Sequence, residues 1–263
     1  MLKKLLKYEL KYTYKGLIIF YSLSLLFGVL TRILFSFDNS FILNIIAQVC
    51  SGVTISMIAN IIINNLIRLW VRFKQNLYGD ESYLTHTLPV EKKKIYLSKV
   101  VTGVISLFTS ILVIGLTLFI AYYSKGNIEV LKNILLPIAK AYNSTMIKFL
   151  LLFLIVIFLE FVSILEAGHT GIILGHRMIN GKVGYSVLFG VIIYGVFQMF
   201  NILVLFLVSL LNKDMMNLFI TNEIINIDVV KIIVYIGMVI YTLNIIIGYF
   251  INIKLFKKGV NVE

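Results

Sequence analysis

This sequence has little proline, little cysteine and few charged residues. Two prolines and one cysteine occur in 263 residues, and charged residues make up 14% of the chain. Soluble domains carry about a quarter charged residues, so an ordinary water-soluble domain is excluded. The scarcity of proline favours long uninterrupted helices, because proline removes a backbone donor and clashes with the preceding turn. The single Cys50 excludes an intrachain disulfide.

Long apolar runs take the place of the missing charge, and 60% of the residues are hydrophobic. Runs of this length with few charges are typical of transmembrane helices. The runs do not alternate apolar and polar residues as the strands of a membrane barrel do. The sequence therefore predicts an all-α membrane protein, with residues 1–263 forming one transmembrane domain. Its six predicted spans are about 17–37, 41–66, 99–124, 149–175, 184–211 and 230–251.

The net charge of +12 is distributed unevenly along the chain. Most of the Lys and Arg residues lie in four segments, 1–15, 68–99, 176–183 and 252–263. An excess of positive charge marks the cytoplasmic side of a membrane protein, so both termini and the 68–99 loop are expected in the cytoplasm. Topology and contact with anionic membrane lipid explain this charge, and nucleic acid is not an expected partner.

Residues 1–15 form a candidate amphipathic helix that precedes the first span. Lysines recur at 3, 7, 11 and 15, and leucines cover most of the opposite side. This pattern predicts a helix that lies in the membrane interface. Glu9 interrupts the apolar face, and we expect it to bond a partner inside the protein. A lipid anchor with one stray acid is the alternative interpretation.

Several spans contain polar or small residues at helical spacing. Unpaired amides cost free energy in hydrocarbon, so the polar residues are expected to face other helices or a translocation path. Glu160 lies ~18 Å from Lys148 along a helix, near the middle of the membrane. Small residues repeated every four positions predict close approach of a second helix. The polar set is Asn44, Gln48, Ser51, Glu160, Gln198 and Asn201, and the small set is Ser163, Ala167, Gly171 and Gly175.

Motifs for catalysis or nucleotide binding are weak, and we do not expect an enzyme. The stretch from Gly175 to Val183 has five spacer residues where a phosphate loop needs four, and no Ser or Thr ends it. Glu166 and His169 have the spacing of one metal-ligand pair, but the further ligands of a di-metal bundle are missing, so no metal site is expected. A membrane-embedded peptidase that uses Glu160, Glu166 and His169 stays open as an alternative.

The 68–99 loop contains the most specific pattern, GDESYLTHTLPV at 79–90 followed by a basic stretch and Ser98-Lys99. This pattern resembles the segment between the second and third spans of type-2 ABC exporter permeases from Gram-positive bacteria. Departures from that family's pattern are Ser82, His86 and Glu91. The resemblance extends to LLKYELKYTYKGLI at the start, to TRILF and to ILGHRMINGKVG, so it covers essentially the whole chain.

The resemblance implies a permease subunit that couples to a separate cytoplasmic ATPase through the 79–90 loop. ATP and Mg²⁺ would bind the partner subunit, and this chain would carry no cofactor. The permease would pair with a second copy or a paralogous permease in a bacterial cell membrane. Its cargo would be a peptide or an antimicrobial compound, and its role would be export or self-protection. A non-transporting immunity or sensor protein is a further alternative. The implied coupling residues are Asp80, Glu81, Tyr83, Leu84, Thr85, Thr87, Leu88 and Pro89.

Overall fold

The computed structural model describes residues 1–37, 41–141, 143–212, 215–216, 220 and 227–258. In this part of the chain, all regular secondary structure is helical. Six of these helices are long and apolar enough to cross a membrane. The prediction of an all-helical, multi-pass membrane protein is therefore confirmed.

The six long helices follow the predicted spans in order. Several continue past the apolar run, because the polar residues at its end do not include a helix breaker. The second helix, for example, continues from residue 66 to Leu77. The helices of the described chain are α1 Leu2–Phe35, α2 Phe41–Leu77, α3 Ser82–Thr87, α4 Lys92–Tyr122, α5 Lys125–Ala141, α6 Met146–Gly175, α7 Lys182–Ser209 and α8 Ile227–Lys257.

The N-terminal segment differs from the sequence expectation in one respect. Residues 1–15 were expected to form a helix of their own before the first span, whereas Leu2–Phe35 is one uninterrupted α-helix. Only Gly16 separates the amphipathic part from the apolar part. A glycine inside a helix costs about 1 kcal/mol relative to alanine, which is too little to end a helix of this length.

The chain divides into two compact units. The first unit is Met1–Gln75 with His86–Val130, and it contains the spans α1, α2 and α4. The second unit is Asn76–Thr85 with Leu131–Glu263, and it contains the spans α6, α7 and α8. The short segment 76–85 thus belongs to the second unit, although it begins with the last two residues of α2.

Hydrogen bonds between polar side chains join the helices of the first unit. Asn65 of α2 is fully buried, and its side chain bonds two serines of α4. Such bonds satisfy polar groups where hydrocarbon offers no partner. Three hydroxyl pairs link α1 to α4: Tyr14 with Thr109 at 2.8 Å, Tyr21 with Ser110 at 2.8 Å and Ser24 with Thr117 at 3.0 Å.

The second unit is built on a close crossing of α6 and α7. A Cβ added at Gly171 would overlap the backbone of Gly190, and one added at Gly175 would overlap Ser186. The helix that approaches the small-residue stripe of α6 is therefore α7. Small residues let two backbones approach, which gains van der Waals contact. Ser163 and Ala167, the other members of the predicted stripe, are buried.

Candidate functional site

The 79–90 segment contains the short helix α3, which has one buried face and one exposed face. Ser82 is fully buried and Thr85 is 6% exposed, whereas Tyr83 is 66% exposed and Leu84 is 74% exposed. Residues three apart share a helix face, which explains the pairing of Ser82 with Thr85. The Ser82 backbone N–H donates to the Gly79 carbonyl at 2.9 Å, which closes the turn that starts the helix. α3 therefore presents two large apolar side chains to its surroundings.

The other predicted coupling residues flank this helix. The Asn76 amide donates to the Glu81 carboxylate at 3.1 Å, and the Thr85 hydroxyl donates to the Glu81 backbone carbonyl at 3.1 Å. These bonds fix the backbone on the N-terminal side of α3. The remaining members are all exposed, namely Asp80, Thr87, Leu88 and Pro89.

Tyr78 anchors the base of this segment within the second unit. Its ring is 2% exposed and lies 4.5 Å, between centroids, from the ring of His176 in the α6–α7 turn. Burial raises the pKa of the Tyr78 hydroxyl above its ordinary value, and the positive charge of Arg177 partly offsets this effect. The Arg177 guanidinium donates to the Leu255 carbonyl near the end of α8, at 2.8 Å. The base of the segment, the α6–α7 turn and α8 are thus linked.

Sequence reasoning did not single out Tyr78 or His176. Tyr78 directly precedes the Gly79-Asp80 pattern, and His176 follows the last small residue of the α6 stripe. Neither position has a periodic signal, because their contact joins two turns that are far apart in the sequence. The His176 Nδ1 atom also lies 2.9 Å from the Ile172 carbonyl oxygen, which holds the ring in place.

Glu9 has the internal partners that were expected of it. Its carboxylate is 2.7 Å from the Lys99 Nζ atom and 3.5 Å from the Arg72 Nε atom. The Arg72 guanidinium in turn stacks over the Tyr12 ring, 4.1 Å from its centroid. Glu9 is 6% exposed and Lys99 is 5% exposed. This buried group of charges joins the start of α1, the end of α2 and the start of α4.

Glu160 lies at the middle of α6 and belongs to a polar network within the second unit. The Tyr194 hydroxyl donates to its carboxylate at 2.5 Å and the Gln198 amide donates to it at 3.1 Å. The hydroxyl of Tyr241 in α8 interacts with the same carboxylate. The partners of Glu160 are thus neutral donors on α7 and α8.

The network continues from Gln198 through two amides. Asn201 donates to the Gln198 side chain at 3.2 Å, and Asn244 donates to the Asn201 side chain at 2.7 Å. The predicted residues Glu160, Gln198 and Asn201 are therefore joined in one network. Its other members were missed, because a tyrosine or asparagine alone in an apolar run shows no pattern.

The polar residues predicted on the second span are divided between two environments. Asn44 and Gln48 are exposed on α2. Ser51, in contrast, shares a hydrogen bond with the Tyr122 hydroxyl at 2.7 Å, which joins α2 to the end of α4. Ser51 thus contributes to the contact between α2 and α4, whereas the amides of Asn44 and Gln48 lie on the exposed surface of α2.

Glu166 and His169 are buried within α6. The Asn252 amide of α8 donates to the Glu166 carboxylate at 2.8 Å. Glu160 and Glu166 are separated by ~9 Å along α6. Glu160 accepts a hydrogen bond from Tyr194 of α7, whereas Glu166 accepts one from Asn252 of α8. Among the described residues, no group of three or more His, Cys, Asp or Glu side chains is arranged to hold a metal ion.

Comparisons of this chain with models of known protein families, with curated proteins and with solved structures gave no match. The functional interpretation therefore depends on the geometry described above and on the resemblance carried by the 79–90 segment.

Proposed function

We propose that this protein is the membrane-spanning subunit of a type-2 ABC exporter. The single observation that carries the proposal is the exposure of Tyr83 and Leu84 on α3, a helix whose other face is buried. A large aromatic and an aliphatic side chain on a fixed support are typical anchors of a protein interface. The partner is a cytoplasmic ATPase subunit that receives α3 in a groove.

The anchoring of the α3 segment suits the transmission of force. Tyr78 packs on His176, and Arg177 bonds the end of α8. A displacement of the segment by the ATPase is then passed to the α6–α7 turn and to α8, because these contacts are tightly packed. Opening and closing of the translocation path follows from that displacement.

The Glu9 group supports the same role in the first unit. Lys99 and Arg72 hold the start of α1 against α2 and α4. The helix that begins at Lys92 leads directly into the third span. A push that reaches α4 is therefore passed to α1 and α2 as well.

The working complex contains two permease subunits, identical or paralogous, and two ATPase subunits. Asn44 and Gln48 expose their amides on α2. Within a membrane, such groups face either a helix of another subunit or a water-filled path. ATP and Mg²⁺ bind the ATPase subunits, while this chain forms the path. The complex lies in a bacterial cell membrane, with both termini and the 68–99 loop in the cytoplasm. Its cargo class, peptides or antimicrobial compounds, follows from the resemblance alone.

The peptidase alternative receives no specific support from the geometry. An intramembrane hydrolase needs its acid, base and metal ligands within reach of one reacting bond. Glu160 bonds Tyr194 and Gln198, whereas Glu166 bonds Asn252. That alternative predicts that replacing Glu160, Glu166 and His169 abolishes function while changes at Tyr83 and Leu84 are silent.

A pull-down from detergent tests the proposal. The intact chain, a Tyr83→Ala/Leu84→Ala double variant and an Ile179→Ala control are purified, and mass spectrometry identifies the proteins that accompany them. Ile179 is a suitable control because it is 89% exposed in the α6–α7 turn. We expect an ATPase with the intact chain and with the control, and its loss in the double variant.

Two other results of the pull-down have definite meanings. An ATPase retained equally by all three forms would place the coupling surface outside α3. If no form brings an ATPase, the permease proposal is wrong, and substitutions at Glu160, Glu166 and His169 become the next test.

A further inference from the structure

Arg68 lies on α2 just past the apolar run 41–66, at the position where a span meets the membrane interface. Its side chain is half-buried, and its guanidinium packs on the Gly16 backbone of α1. The Phe20 ring centroid is 5.7 Å from the guanidinium carbon. Neither neighbour supplies a side-chain acceptor, because glycine has no side chain and the phenyl ring of Phe20 has only its π face.

The guanidinium of Arg68 has no hydrogen-bond acceptor among the described residues. Its Nε atom is buried and makes no hydrogen bond there. An arginine carries five N–H donors and cannot release its proton in a protein. Donors removed from water without a partner are costly, and the cost is larger for a charged group.

Each of the other three arginines of the chain has a carbonyl or carboxylate partner. Arg32 donates to the Tyr123 carbonyl, and Arg177 donates to the Leu255 carbonyl at 2.8 Å. Arg72 is paired with Glu9. The Glu9 carboxylate contacts Arg72 and Lys99, and no described carboxylate pairs with Arg68. The acceptor for Arg68 is therefore expected from outside the described chain.

We propose that Arg68 binds a phosphate group, supplied by the headgroup of an anionic membrane lipid. The guanidinium fork matches two phosphate oxygens at once, which makes arginine the preferred residue for this group. Headgroup phosphates lie at the depth where the apolar run of α2 ends. An anionic headgroup is favoured over a zwitterionic one, because it brings no ammonium group close to Arg68 and to Arg72, which lies one turn further along α2. The site lies within the first unit and does not depend on the permease proposal.

Gly16 gives this site its shape and provides a sharp variant. A Cβ at this position would overlap the guanidinium of Arg68. Gly16→Ala therefore keeps every charge in the chain but pushes the guanidinium away from its present place. A merely electrostatic attraction between a basic segment and the membrane would not change in this variant.

Native mass spectrometry of the full chain in detergent, with added phosphatidylglycerol or phosphatidylcholine, tests the proposal. The forms compared are the unaltered chain, Arg68→Gln, Gly16→Ala and the control Lys93→Gln, which removes an exposed cation from the same basic stretch. We expect the unaltered chain and Lys93→Gln to retain phosphatidylglycerol equally and in preference to phosphatidylcholine. In Arg68→Gln and Gly16→Ala, binding should weaken about tenfold, as for the loss of one charge-assisted contact. Thermal unfolding of each variant establishes that it is folded.

Titration with inorganic phosphate distinguishes a lipid from a soluble ligand. Displacement of phosphatidylglycerol only by phosphate in the molar range supports the lipid headgroup. Displacement at millimolar phosphate in the unaltered chain and in Lys93→Gln would assign the site to a soluble phosphate ligand and overturn the lipid source. Equal lipid retention in all four forms, or equal loss in Lys93→Gln and Arg68→Gln, would overturn the site itself.

Discussion

Glu9 is the single acidic residue of α1, and the inward face of that helix places it between Lys99 and Arg72. A buried charge group of this kind is costly to break, because removal of one partner leaves uncompensated charge in a poorly solvated place. The coupling of α1 to the ends of α2 and α4 therefore depends strongly on this one carboxylate.

We expect Glu9→Ala to destabilise the protein by about 3 kcal/mol, since it leaves Lys99 and Arg72 buried without the carboxylate. The apparent unfolding temperature in detergent measures the effect. Glu91→Ala is the matched control, because Glu91 also pairs with a lysine, Lys94 at 2.7 Å, but both side chains are well exposed. Exposed pairs contribute little to stability. A similar loss in the two variants would contradict a special role for the buried group.

A second prediction for a single residue concerns Tyr78 and the dependence of stability on pH. Because burial raises the pKa of its hydroxyl in the folded protein, the unfolded chain ionises first as the pH rises above about 10. The contribution of Tyr78 to stability is thus complete below pH 10 and is lost at higher pH. Tyr78→Phe should reduce the fall in unfolding temperature between pH 8 and pH 11.

Tyr83→Phe is the control for this pH experiment, because Tyr83 is exposed on α3. We expect the unfolding temperature of Tyr83→Phe to fall between pH 8 and pH 11 as much as that of the unaltered chain. If the unfolding temperature falls equally in the unaltered chain, Tyr78→Phe and Tyr83→Phe, the buried environment of Tyr78 is not retained in solution.

At the scale of helices, the contact of α6 with α7 is a crossing in which one backbone lies directly against the other. Gly171 faces the Gly190 backbone without room for a side chain. Backbone atoms cannot move aside as the end of a flexible side chain does, so an added methyl group separates the helices. This crossing positions Glu160, on the same α6, relative to its partners on α7.

We expect Gly171→Ala to lower stability by about 1–3 kcal/mol through overpacking. Gly195→Ala on α7 is the control, because no atom of a neighbouring helix lies within 4 Å of a Cβ at that position. Alanine has a helix propensity about 1 kcal/mol better than glycine, so the control should be neutral or stabilising. The unfolding temperatures of both variants in detergent measure the effect, and an equal change in the two would mean that α6 and α7 have room for a methyl group at Gly171.

At the scale of the whole molecule, the distribution of lysine and arginine predicts the orientation in the membrane. Labelling of single cysteines with a membrane-impermeant maleimide tests it, in a chain whose Cys50 is replaced by serine. Lys132→Cys should react on intact cells, whereas Lys93→Cys should react only after permeabilisation, because the 68–99 loop is expected inside. Both lysines are exposed, so each position is a fair probe. If Lys93→Cys reacts on intact cells and Lys132→Cys reacts only after permeabilisation, the proposed topology is reversed.

The sequence alone was sufficient for the spans and their order. Hydrophobicity over a window depends on contiguous residues, and the interior of a bilayer permits only structures that satisfy their own backbone, so an apolar run predicts a helix directly. The small stripe of α6 was also visible, because its spacing follows from the helical period. The sequence likewise indicated that Glu9 would need an internal partner, since an acid interrupts an apolar face there.

The partners of these residues were decided by the tertiary structure. Tyr14 and Thr109 lie 95 residues apart, and Asn252 and Glu166 lie 86 residues apart. No local pattern encodes such a pair, because the contact exists only after two helices pack in one register. The same holds for Tyr78 on His176, which lie in two turns, and for Arg68 on Gly16, which lie on two different helices. Local hydrophobicity therefore determined which segments are helices, whereas packing between distant helices determined which polar groups are satisfied.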